Sequence, residues 1–543
     1  MNINTMSHTT PSMYLSAARR LMLSVFVVSL AGCGGGGSGA TSSTTPPAPA
    51  PADFLLPAGH AEGYLAPVIT YPRPDSETAA TARHRINHPG QPYRVPVAVA
   101  FGAWPFRYEL LAAPAGMAIG GQLQASGDEL VAGADYGVIT WANPTAGTYP
   151  VSVKVTDQNS VVQTVSFTLK VATEDWVFLD PLAATNGSGT QASPFNTLAS
   201  LAGLTGKAVL VRAGTVDWQQ KTVGMQNMPK TWLPYSDGAA GSETVNMLQA
   251  NSPIGGQGAS DLWFSGFSFN IPTARTAVDQ FFRFDGGSRI VFFENSFDGG
   301  NLPATGAAPS NLSILMWTNQ GVGITDPQNA WYPAIIGNAF RNVKDRDMLL
   351  GYSMRYTVVE NNTVENALAL PYGHGFYPKI NVSHFQFRRN TSIGQTNQNV
   401  LLRIDAYAGQ FPMDYYDVSY NSYRFFGSDP NGDGVGAVTH RDEFGSANIT
   451  HRYVYRNTLY AGASPASAMS VRGLNSDTVI TVSNNLLIGD GTRPGEVWQV
   501  QYSGSVLATG NVTGTPAGNL LDSNNKLIGA YTGHLGTKGA QVN

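Results

Sequence analysis

Four cationic residues recur at one place in a repeated short strand. The strands are Gly375-Phe376-Tyr377-Pro378-Lys379, Leu401-Leu402-Arg403-Ile404-Asp405, Val438-Thr439-His440-Arg441-Asp442 and Met469-Ser470-Val471-Arg472. Side chains alternate faces along a strand. With Leu402 and Ile404 inward, Arg403 and Asp405 face outward, and Tyr377, Lys379, Arg441 and Arg472 share that side. In strands stacked about 4.8 Å apart, Lys379, Arg403, Arg441 and Arg472 would form one column. Like charges this close repel, so such a column needs a counter-charge. An anionic ligand supplies one. The alternative is a solvated ion-pair ladder with Asp405, Asp442 and Glu443. A lysine inside such a column can act as a base, because neighbouring cations lower its pKa.

A second constellation follows the same strands. Asp429-Pro430-Asn431-Gly432-Asp433-Gly434 has the alternating oxygen donors and sharp glycine turn of a calcium loop, with Asp429, Asn431 and Asp433 as ligands. The twelfth position, which should be acidic, is His440; Asp442 or Glu443 could take its place. An Asn/Asp/Gly turn without metal is the alternative. His374 stands between two glycines, where a turn histidine is as common as a catalytic one. Trp317, Trp331, Tyr332, Tyr372, Tyr377, Tyr407, Tyr415 and Tyr416 crowd the same region and could stack on sugar rings or fill a core.

The elements that must position these residues are many short strands. Of 543 residues, 60 are Gly and 33 are Pro, only 13% are charged and 42% are hydrophobic. A large core is available, so disorder throughout is excluded, and so is a long charged helix. A net charge of −4 and a pI near 6.1 give no sign of a nucleic-acid surface. From Trp176 onward an aromatic or β-branched strand followed by Asn recurs: Phe292 to Asn295, Ile335 to Asn338, Val358 to Asn362, Phe385 to Asn390, Val418 to Asn421, Val454 to Asn457 and Val482 to Asn485. One such unit cannot bury its inner face alone, whereas stacked units close a continuous core. Asn tolerates the left-handed backbone of a turn and can ladder up the stack by hydrogen bonding.

This strand-plus-Asn unit resembles the right-handed parallel β-helix of the pectate-lyase-like superfamily, over about Trp176 to Tyr531. Val177 to Asp180, Asn186 to Thr190 and Val209 to Gly214 look like the first coil of that family. The resemblance implies carbohydrate chemistry. The Lys379 and Arg403 pair, one coil apart, looks like the base and assistant of the β-helix alginate-lyase families, which remove the proton α to a uronate carboxylate. On that reading Lys379, Arg403, His374 and Arg441 are catalytic, and Tyr377, Asp405 and Arg472 bind substrate. Gly373-His374-Gly375 with Arg403-Ile404-Asp405 also resembles polygalacturonase-type hydrolases, although one Asp of the pair expected there is missing. Elimination on an acidic polysaccharide is favoured over hydrolysis. A non-catalytic glycan-binding or structural surface β-helix remains the other class.

Ahead of this body, residues 61–173 alternate apolar and polar residues in Tyr93 to Phe101, Val138 to Trp141, Tyr149 to Thr156 and Val161 to Val171. Period two gives one buried and one wet face. The stretch resembles the bacterial Ig-like, cadherin-like module, which implies a β-sandwich, and a spacer is the favoured role. The expected fold class is therefore all-β: an N-terminal sandwich, then a C-terminal right-handed parallel β-helix over 174–543.

Residues 1–33 have the form of an address. Arg19-Arg20 precede the apolar run Leu21 to Ala31, too short to span about 30 Å of hydrocarbon comfortably. Leu30-Ala31-Gly32-Cys33 resembles the bacterial lipobox. Cys33 is the only cysteine, so neither a disulfide within the chain nor a cysteine zinc site is expected. Gly34 after it favours the outer membrane, by the same resemblance. Residues 34–60, rich in Gly, Ser and Pro, then form a tether. A monomer held at the membrane by its N-terminal lipid alone is the expectation. Cys33→Ser should abolish acyl labelling and move the protein out of the membrane fraction, since the several chains of a lipoprotein anchor are lost together. Unchanged partition would overturn the lipobox.

Overall fold

The computed structural model describes residues 63–514 apart from 122, 127–128, 133–134, 213, 218–223, 236–244, 249–253, 271–279, 299–312, 319–329, 342–346, 366–372, 381, 395–398, 407–414, 426–435, 443–450, 462–466, 474–478, 490–497, 503–504 and 510–511. The chain divides into one unit of Met1–Asp53, which holds Cys33 and lies outside the described residues, and a second of Phe54–Asn543. Among the described residues no helix is long and apolar enough to cross a membrane.

From Trp176 the chain winds as a right-handed parallel β-helix with three faces. Each full coil gives one strand to each face. Val291–Phe293 lies in the first sheet, Ser296–Asp298 in the second and Ser313–Thr318 in the third; Ala334–Ile336 then returns to the first. Every pairing between coils is parallel. The three sheets hold thirteen, eleven and nine strands among the described residues. The interior is apolar and strongly aromatic. Phe269, Phe297 and Phe340 stack at 4.8 Å from coil to coil, and Phe264 lies 5.4 Å from Phe292. Such offset stacks add to what area burial alone supplies.

The expected asparagine ladder is present. Asn295, Asn338, Asn362, Asn390, Asn421, Asn457 and Asn485 are all buried at the turn from the first to the second sheet. From Asn338 on, each Oδ1 accepts from the backbone N–H and from the side-chain amide of the asparagine one coil earlier, as Asn338 does from Asn295 at 2.9 and 3.1 Å, whereas the Oδ1 of Asn295 accepts from the Phe267 N–H at 3.1 Å. Each Nδ2 then donates back to a carbonyl of the earlier coil, as Asn390 does to Val359 at 2.9 Å. The left-handed residue, however, is the one before the asparagine. Glu294, Gly337, Asn361, Arg389, Tyr420, Arg456 and Asn484 have φ between 52° and 68°. For an L side chain that conformation costs roughly 1–2 kcal/mol, and the ladder bonds beside it hold it in place.

The N-terminal module is a β-sandwich. Gly147–Thr156 pairs antiparallel with both Val162–Val171 and Arg107–Ala112, and Tyr93–Pro96 pairs with Val138–Trp141. The single strand expected over Tyr93 to Phe101 breaks at Val97, and Ala98–Ala100 joins Val68–Tyr71 instead. The spacer expectation is corrected here. The module's core runs on into the outer face of the first sheet, with Tyr71, Val99, Trp104 and Phe106 in one apolar cluster with Trp263, Phe293, Val358 and Tyr455.

Asn390→Leu should orphan two buried donors of Asn362 that Asn390 now satisfies at 3.0 and 2.9 Å. The expected loss is at least about 2 kcal/mol, read as a fall in the urea midpoint, because each buried orphan costs roughly 1–3 kcal/mol. An unchanged midpoint would show that the ladder carries no stability.

Candidate functional site

The candidate residues lie on the third sheet, in the strands Gly373–Ile380, Asn399–Ala406, Gly436–Asp442 and Ser467–Gly473. All four are consecutive neighbours there. Their register splits the expected column. Asp405 pairs with Arg441, Arg441 with Arg472, and Arg472 with Gln501. Arg403 stands two residues earlier, level with Thr439, Ser470 and Gln499. Phe376 pairs with Leu402. The same offset carried along sets Tyr377 level with Arg403, and Lys379 level with Asp405. Lys379 and Arg403 are thus on adjacent strands but out of level, and a carboxylate position separates Lys379 from Arg441. The uninterrupted cationic column is corrected to a row reading Lys379, Asp405, Arg441, Arg472. Sequence alignment missed this because it set each strand by its last cation and not by its core residues.

His374 pairs with Val400 and lies two residues before the core residue Phe376. It therefore has the parity of the core and not that of Arg403, so it does not join the row. Tyr377 is buried and packs against Tyr352; it is a packed side chain and not an exposed stacking platform. Trp317 and Tyr416 are likewise core residues. Asp429, Asn431 and Asp433 lie outside the described residues, and so does Glu443. Among the described residues no cluster of His, Cys, Asp and Glu has the form of a metal site.

A second polar constellation escaped sequence reading. The outward positions of the first sheet carry Glu360, Arg388 and Ser419 in one register row, and Gln386 and Asp417 in the neighbouring row. All five are buried under the N-terminal module. Arg388 grips Glu360 with two bonds of 2.8 and 3.3 Å, donates to the Val99 carbonyl at 2.9 Å, and lies 4.8 Å from the Phe106 ring centre. Gln386 accepts from the Phe101 N–H at 2.9 Å and donates to Asp417 at 2.9 Å. Asp417 also accepts from Ser419 at 2.7 Å and from the Tyr455 hydroxyl at 2.6 Å. Burial raises the Asp417 pKa, and these three side-chain donors pull against it. Polar residues alternating with Phe385, Phe387, Tyr416 and Val418 were visible in the sequence. That their outward face is covered was not.

No family model matches the chain, and no curated protein matches it. Loose likenesses exist among solved structures. The family 28 exopolygalacturonase of Yersinia enterocolitica is 12% identical, over 79% of this chain and 86% of that one, at a TM-score of 0.30. The periplasmic alginate epimerase AlgG is 11% identical, over 56% and 77%, at 0.29. A candidate α-galactosidase from Bacteroides fragilis is 12% identical at 0.16, and this chain spans only 40% of its length and 37% of its own. Likenesses this distant settle no chemistry; the fold stands on the parallel register above.

The raised Asp417 pKa has a consequence for stability. A carboxyl that holds its proton more tightly when folded stabilises the protein at low pH, and that contribution is lost as pH rises from the unfolded value, about 3.9, through the folded one. Asp417→Asn should flatten the fall in urea midpoint between about pH 4 and neutrality. An equal slope in both proteins would remove this group as the cause.

Proposed function

We propose that the protein is carbohydrate-active and acts on an acidic polysaccharide laid along the third sheet, cutting it by β-elimination. The observation that carries this reading is the direct pairing of Arg441 with Arg472, flanked by Asp405 and, one pleat away, Arg403. Two arginines level on neighbouring strands, about 4.8 Å apart, disfavour the sheet unless an anion lies across them. Arginine suits a carboxylate because its planar fork makes two parallel bonds. A uronate chain presents carboxylates in sequence. Elimination needs a cation on the carboxylate, to stabilise the charge that develops when the α-proton leaves. Arg403 and Arg441 would supply it, with Lys379 as base and Asp405 and Arg472 holding the flanking units.

One observation favours a second reading. Asp405 is level with Lys379 by the register offset, and a carboxylate neighbour keeps an ammonium protonated, which weakens it as a base. On that reading the row binds an acidic glycan without cleaving it. Two further proposals attach to either reading: calcium in the loop of Asp429, Asn431 and Asp433, and a lipid on Cys33 that holds the body at the bacterial outer membrane.

The test incubates the chain from Gly34 onward with a panel of uronate polysaccharides, with calcium and with chelator. Elimination gives ultraviolet absorbance from new unsaturated ends. Hydrolysis gives reducing ends alone, and would install the polygalacturonase-like reading. Retention of the glycan with no product supports the binding reading. If elimination is seen, Arg403→Ala should weaken both binding and turnover, more so at low salt, and Arg403→Lys should not rescue. Lys379→Ala should cost about 10² to 10⁴ in rate with affinity largely kept. Near-native turnover in both variants would move the site off this sheet.

A further inference from the structure

Where the N-terminal module meets the turns leaving the first sheet, the two enclose a small cleft of about 130 Å³, open on one side. Its floor is the left-handed column described above. Glu294, Gly337, Asn361 and Arg389 follow one another there on successive coils. Three of them carry long or polar side chains and Gly337 carries none. The backbone does not require glycine at this point, because Glu294, Asn361 and Arg389 hold the same conformation with side chains, at φ of 54° to 57°. Crowding does not require it either: a Cβ on Gly337 would meet the Glu294 Cγ at 3.5 Å, an ordinary contact. The missing rung is a notch between Glu294 and Asn361, two coil spacings or roughly 10 Å long.

The walls of the notch are built. The module supplies Pro96 and Val97 opposite. At one end Arg94 spans the gap and bonds both Asp135 and Glu294 at 2.6 Å. At the other, Arg389 lies over the rings of Trp104 and Tyr136 at 5.5 and 5.3 Å and reaches Glu360 at 3.4 Å. Each carboxylate in the cleft already has a guanidinium partner, so the walls offer no net charge to an ion. They do offer spare lone pairs on Glu294, the donor and acceptor of the exposed Asn361 amide, and the donors of Arg389. Convergent donors and acceptors without net charge, at a junction of two bodies, suit a neutral polyhydroxylated ligand.

We propose that this cleft binds a neutral sugar unit, at a site separate from the third sheet and independent of the chemistry assigned there. The test is calorimetric titration of the full chain with neutral gluco-, manno- and galacto-oligosaccharides. Asn361→Tyr and Asn361→Arg fill the notch from its floor. Both are compatible with the backbone, since Tyr420 and Arg389 hold the same turn position at φ of 55° and 57°. The expectation is that at least one neutral oligosaccharide binds. Both Asn361 variants should then lose at least about tenfold in affinity with an unchanged melting temperature, and Arg441→Ala with Arg472→Ala should keep full affinity for it. The proposal falls if no neutral oligosaccharide binds the native protein at millimolar concentration. It falls equally if both Asn361 variants bind as the native protein does, or if binding disappears in the Arg441 and Arg472 double variant. Failure of uronate binding alone would leave it standing, because the two sites share no residue.

Discussion

The side-chain amide at each turn from the first to the second sheet sets the level of every coil on the next. A parallel sheet alone is weakly registered, since a slip of two residues keeps every side chain on its own face. The buried asparagines remove that freedom. From Asn338 on, each must place its oxygen against two donors of the coil before it and its NH₂ against a carbonyl of that same coil, with bonds of 2.8 to 3.1 Å. A slip at any coil would leave several buried polar groups without partners at once. The levels of the first sheet follow from this, and through the continuous coil so do those of the third, where Asp405, Arg441 and Arg472 come side by side.

The same ladder explains how the N-terminal module finds its seat. A face of fixed register can carry polar groups at fixed positions, and the first sheet does so. Arg388 reaches Val99, Gln386 reaches Phe101, and the Tyr420 hydroxyl donates to the Trp104 carbonyl at 3.1 Å. The backbone groups of Val99 and Phe101 belong to the stretch where the expected long strand of the module breaks, and Trp104 follows it closely. Around them lie apolar contacts that specify little by themselves. Buried ion pairs such as Arg388 with Glu360 add little net stability over a well-packed apolar pair. Their more direct effect is to penalise any other placement of the module, which would strand a charge. This is why the module forms one body with the helix and does not hang from it as a spacer.

How much of this was legible follows from the kind of signal involved. The ladder was readable because its residue type is invariant within the chain and its position relative to an apolar strand repeats. The period-two strands of the module were readable for the same reason. The left-handed residue was not, because Glu294, Gly337, Arg389, Tyr420 and Arg456 share no chemistry; the conformation is imposed by the amide beside them. The third-sheet site was half legible. Outward parity came from alternation, but level came only from the pairing of Phe376 with Leu402 and of Leu402 with Val438. Loops of unequal length between coils hide such levels in sequence. Burial of Glu360, Arg388 and Asp417 was the least legible, since a covered polar face and a wet one have the same alternation.

These limits bear on where chemistry can sit. A β-helix offers three outward faces, and here the first is occupied by the module. Its polar groups are spent on each other and on module backbone, which gives a charge network with no access for a substrate. The turn column at the edge of that face is different, because one coil lacks a side chain and the module's wall stands off from it. The third face differs again, as two arginines are level there without an acid between them. Glu360, Arg388, Gln386 and Asp417 find their partners within the protein, whereas Arg441 and Arg472 are level on neighbouring strands, where like charges repel. It is this contrast between a closed network and two like charges set level on neighbouring strands, both fixed by the same register, that separates the structural charges of this chain from the ones proposed to meet a glycan.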